Sequence, residues 1–83
     1  MARKPDEYAI HLFIEGGHHE EVRFSSMQEF QKWYSNELTP KQNSGDLINI
    51  PMNTIEGEYM VVRPNKIAAI RVEPIFLSSI ERN

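Results

Sequence analysis

The sequence predicts an α+β domain: a single antiparallel β-sheet in the order β-β-α-β-β-β, with one helix packed across one face and a short apolar C-terminal tail or helix. Three observations predict it. Residues 8–15 and 19–24 are short strand-like runs on either side of Gly16-Gly17. Residues 58–63 and 68–73 are β-branched and alternating on either side of the Pro64-Asn65 turn. Between these pairs lies one stretch with helical spacing, residues 27–38, behind a capping serine.

Residues 1–7 are charged, contain Pro5 and are expected to form a frayed lead-in. In the first strand Tyr8, Ile10, Leu12 and Ile14 share one face, and Ala9, His11 and Phe13 share the other. Both faces are largely apolar, which suits an interior strand or one whose back is covered. Gly16-Gly17-His18 is expected as a three-residue hairpin loop with a glycine at positive φ. That loop sets Val22 against Leu12, Phe24 against Ile10, His11 against Arg23 and His19 against Glu15.

Ser26 and Glu29 form a Ser-x-x-Glu capping box. At about 100° per residue, Met27, Phe30, Tyr34 and Leu38 fall on one stripe, which should lie on the sheet. Trp33 falls on the flank. The helix is expected to end near Glu37 or Leu38, because Thr39 precedes Pro40 and avoids the α region. Residues 39–46 form a polar, mobile loop. Residues 47–52 are a third strand with Ile48 and Ile50 inward, placed at an edge by Pro51.

Residues 57–74 are expected to be the central hairpin. Proline's fixed φ disfavours a two-residue loop. A four-residue loop, 64–67, predicts Tyr59 opposite Val72, Val61 opposite Ile70 and Arg63 opposite Ala68. Ala9, Phe13, Met60, Val62 and Ala69 then form a half-apolar back face. The tail, residues 74–83, reads as an apolar tail or a short helix begun by Pro74; as a helix it would carry Phe76, Leu77 and Ile80 on one side. The whole of 1–83 reads as one small domain.

The composition excludes several functions. Nine basic and twelve acidic residues give a net charge of −3, unlike the basic stripe of a general nucleic-acid binder. Cysteine is absent, so disulfides, thiol chemistry and thiolate zinc sites are excluded. No run reaches the length of a membrane-spanning helix. The first residues lack the apolar core of a secretion signal, so the expected location is the cytoplasm.

The candidate metal ligands are His11, His18 and His19, with Glu20 and Glu21 beside them, since imidazole and carboxylate suit zinc-like ions. The register above does not bring the histidines together, so no metal or cofactor is expected. The carboxylate pairs Glu20–Glu21 and Glu56–Glu58 sit beside no plausible nucleophile, and no nucleophile elbow or phosphate-binding glycine loop is present. Arg63-Pro64-Asn65-Lys66 reads as a polar turn rather than an anion site.

The expected function is therefore a small non-enzymatic protein-interaction module: an adaptor, assembly factor or regulatory subunit. It would act through Trp33, Phe13, Met60, Val62, Phe76, Leu77 and Ile80, and the expected assembly is a homodimer through the apolar back face. One alternative is a metal- or ligand-binding protein using the His11/His18/His19 hairpin. Another is a weak single-stranded nucleic-acid binder using Phe13, Tyr59, Arg63, Lys66 and Arg71.

Overall fold

The computed structural model describes residues 4–52 and 55–77. Its elements are β1 (Glu7–Ile14), β2 (His18–Phe24), α1 (Met27–Trp33), β3 (Ile48–Pro51), β4 (Tyr59–Val62) and β5 (Ile67–Ile75). This is the expected α+β class, with antiparallel strands and one helix. The single sheet is divided in two: β2-β1-β5 form a three-stranded sheet and β3-β4 a two-stranded one.

β1 is the centre of the first sheet. Ile10 faces Val22 on one side and Val72 on the other; Leu12 faces Glu20 and Ile70. Ile10 and Leu12 are fully buried as a result. The β1–β2 hairpin has the expected loop length, but the loop is residues 15–17, with Ile14 opposite His18. Both Gly16 and Gly17 have positive φ, 97° and 83°, a region that favours glycine. The loop therefore lies one residue earlier than the expected one, with both glycines still inside it. The register moves by two, so Val22 meets Ile10, Phe24 meets Tyr8, His11 meets Glu21 and His19 meets Phe13. A shift of two keeps every side chain on its face.

The expected 57–74 hairpin does not form. β4 pairs with β3, and β5 pairs with β1 along its length. Pro64–Lys66 is one 3-10 turn, closed by Lys66 N–H to Arg63 O, and it makes a corner rather than a reversal. β1 offers eight residues as a partner and β4 only four, so the long strand takes the longer ladder. β4 also presents the opposite face to the one expected. Val62 is buried and Met60 packs on the core, while Tyr59 and Val61 are exposed. β3 behaves as expected, with Ile48 and Ile50 inward.

Pro74 does not start a helix; it lies in β5 opposite Tyr8. Asp6 is already tied down. It donates its N–H to Ile75 O at 2.8 Å and accepts from Leu77 N–H at 2.7 Å. Ile80 and the rest of the tail lie outside the described residues.

Ser26 caps α1 by accepting from Glu29 N–H at 3.2 Å. The helical path does not stop at Leu38. It widens into a π turn at Tyr34–Leu38, with Thr39 N–H bonded to Tyr34 O, and continues as a 3-10 turn at Thr39–Lys41. In an α-helix the Pro40 ring would strike the carbonyl four residues back. The wide turn shifts the ladder to five back and relieves that contact. The side chains that face the sheet also differ from the expected stripe. Phe30, Trp33 and Leu38 are buried, and Tyr34 is 41% exposed. Trp33 is therefore a core residue. It packs with Phe24 and Phe30, and its Nε1 has no hydrogen-bond partner among the described residues. Residues 42–46 are ordered by local bonds from Ser44 to Lys41 O and from Asp46 N–H to Ser44 Oγ.

Candidate functional site

Two places on the first sheet carry distinctive chemistry. The first is its back, away from α1. Here β1 contributes Ala9, His11 and Phe13, β2 contributes His19, Glu21 and Arg23, and β5 contributes Ala69, Arg71 and Glu73. This face is polar, not half-apolar as the sequence suggests. Of the five residues expected there, Met60 and Val62 belong to the core, Ala9 is fully buried, and Phe13 is stacked against His19.

His11 is 5% exposed, yet both its ring nitrogens are engaged. Nε2 donates to Glu73 Oε1 at 2.8 Å, because a carboxylate only accepts. With both rings neutral, Nδ1 is then an acceptor, and His19 Nε2–H donates to it across 3.0 Å. The bond from His11 holds the Glu73 carboxyl below its ordinary value. Beside this chain, Arg23 bonds Glu21 and Glu7, each at 2.7 Å. These two carboxylates, Glu21 first, push the guanidinium above its ordinary value.

The sequence-predicted histidines divide between faces. His11 and His19 meet, whereas His18 turns the other way and bonds Glu20 at 2.6 Å. Among the described residues, no group of three or more His, Asp or Glu side chains is arranged to hold a metal ion. Glu73 was missed by sequence reasoning because β5 was expected to pair with β4. The signal for it lay in the Arg71/Glu73 alternation opposite a strand with a central histidine. Of the nucleic-acid candidates, Phe13 and Arg71 share this back face, Tyr59 lies on the second sheet, and Lys66 stands 3.6 Å from Glu15.

The second place is the open side of β5. Among the described residues β5 has a strand neighbour on one side only, β1. α1 leans towards β2, where Phe24 meets Phe30 edge-on. The inner face of β5 is left beside a groove of about 440 Å³, lined by Phe30, Tyr34, Leu38, Pro64, Ile70 and Val72 among others. Val72 is 37% exposed there. Phe76 and Leu77 follow directly on the strand and are also exposed.

Backbone parity sets what the edge offers. Ile75 turns its carbonyl to Asp6, and Pro74, opposite Tyr8, has no N–H to give. Alternate residues of an antiparallel strand point their N–H and C=O to opposite sides. Ile70, Val72 and Pro74 therefore turn theirs outward, with the proline's missing donor at the open edge.

Among the described residues, no helix is long and apolar enough to cross a membrane. Comparison with known proteins finds no matching family model, no similar curated protein and no similar solved structure.

Proposed function

We propose that this chain is a small non-enzymatic interaction module, an adaptor, assembly factor or regulatory subunit, that docks protein partners along the open side of β5. The observation that carries this reading is a strand edge with no neighbour among the described residues, beside a groove of mainly apolar lining. A partner strand added to such an edge gains main-chain hydrogen bonds, and the groove receives its alternate side chains. This surface differs from the one the sequence suggested. Trp33 and Val62 are buried and cannot anchor a partner, whereas Phe76 and Leu77 extend the β5 side.

The polar cluster on the back supports a non-enzymatic role. Its histidines, carboxylates and guanidinium are bound to one another, and His11, His19 and Glu73 do not line the groove. A cytoplasmic setting suits a chain that uses no cysteine.

The test is capture of partners by the tagged chain and by two variants. Val72→Lys places a charge in the groove and should abolish capture. Tyr59→Lys, on the exposed face of β4, should leave capture unchanged. Equal recovery by all three proteins would overturn the reading.

A further inference from the structure

We infer that the occupant of the β5 edge is β5 of a second copy, paired antiparallel about a two-fold axis through Val72. This rests on the reading of the β5 side as the docking surface and names its partner. The strand's own sequence points to this partner. From residue 70 it runs Ile-Arg-Val-Glu-Pro: apolar, positive, apolar, negative, apolar, and so self-complementary about its middle residue.

A two-fold axis perpendicular to the sheet keeps each side chain on its face. Set through Val72, it places Arg71 opposite the partner's Glu73 and Glu73 opposite the partner's Arg71, both on the polar back. Opposite charges directly across a ladder stabilise it. Set through Arg71 or Glu73, the axis would place like charges face to face, which destabilises. Set through Ile70, it would leave Arg71 opposite an alanine. Charge complementarity therefore selects one register.

The backbone agrees with that register. Val72 turns both its N–H and its C=O outward, so it exchanges two bonds with the partner's Val72. Ile70 N–H reaches the carbonyl of the partner's Pro74, and the proline's missing N–H affects only the rim. Glu73 is also held ready. Its contacts with His11 and Arg71 both use Oε1, which leaves Oε2 to take up the incoming guanidinium. On the other face the two grooves join across the axis, and Val72 packs on the partner's Val72. The result is one six-stranded sheet with its apolar seam closed.

Cysteine cross-linking tests this directly, because the native chain has no cysteine. Residues opposed in a hydrogen-bonded antiparallel pair have Cα atoms about 5.5 Å apart, within disulfide reach. Val72→Cys should cross-link almost completely under mild oxidation. Arg71→Cys should cross-link poorly, and Tyr59→Cys not at all. Arg71→Glu and Glu73→Arg, each alone, should halve the mass seen by light scattering. Mixing the two should restore a dimer, since each then meets its opposite charge.

A monomeric wild type, or cross-linking that favours Arg71→Cys, would overturn the inference. If the wild type is monomeric but Val72→Lys still loses a protein partner, the docking surface stands and the second copy falls. If Val72→Lys changes neither mass nor capture, both fall.

Discussion

His11 sits at the middle of the central strand, where a polar ring is tolerated because both nitrogens are bonded. Removing a partner of a buried acceptor costs its desolvation. His19→Ala should therefore destabilise the fold by roughly 1–3 kcal/mol, read by urea unfolding. Glu73 makes stability depend on pH. Its carboxyl is lowered in the folded state by the bond from His11, so its contribution is complete above the ordinary carboxylate range. The contribution is lost as pH falls through the lowered folded value. The melting-temperature gap between wild type and Glu73→Gln should close on acidification in that window; a gap that widens there would contradict the assignment. Trp33 carries the opposite lesson, a buried donor with no described partner. Trp33→Ala should cost about 3–5 kcal/mol, while Trp33→Phe should cost far less, since it also removes the unmet N–H. The sequence singled out His11 and His19 as chemically notable. Their meeting was not legible, because a loop shifted by one residue decides which side chains oppose.

Among the elements, the strands and the helix start were readable from alternation, Gly16-Gly17 and Ser26. Two features were not. The π turn at Tyr34–Leu38 arises from fitting Pro40 into a continuing helix, and spacing rules assume uniform α geometry. The reversed face of β4 follows from its pairing with β3, and alternation alone marks two faces without saying which is inner. Local devices should still respond as expected. Ser26→Ala removes the bond to Glu29 N–H and should cost roughly 0.5–2 kcal/mol of unfolding free energy. Gly17 has φ of 83° with open space where a Cβ would go. Gly17→Ala should therefore cost about 1–2 kcal/mol, from backbone conformation alone.

For the whole molecule, the fold class was legible and the division into two sheets was not. Adjacent strands usually pair, and that rule favoured β4 with β5; the Pro64–Lys66 corner instead sends β5 to β1 across the intervening chain. The core fills the space between the first sheet, the helix and the β3–β4 pair, with Ile10, Leu12, Val22 and Ile50 at its centre. Self-association through β5 would link stability to concentration, because the partner binds only the folded state. The midpoint of thermal unfolding should rise as the chain is concentrated, and Arg71→Glu should flatten that dependence.

β1 acquires its neighbours at very different distances along the chain. β2 follows after a tight loop, whereas β5 arrives only after the helix and the second sheet. Nearby contacts form early, and distant ones wait on loop closure. Refolding should thus be two-paced in its sensitivities. Val22→Ala, on the nearby side, should slow the return to the native state. Ile70→Ala, on the remote side, should mainly hasten its loss, so the strand with the open edge is also the first to peel away.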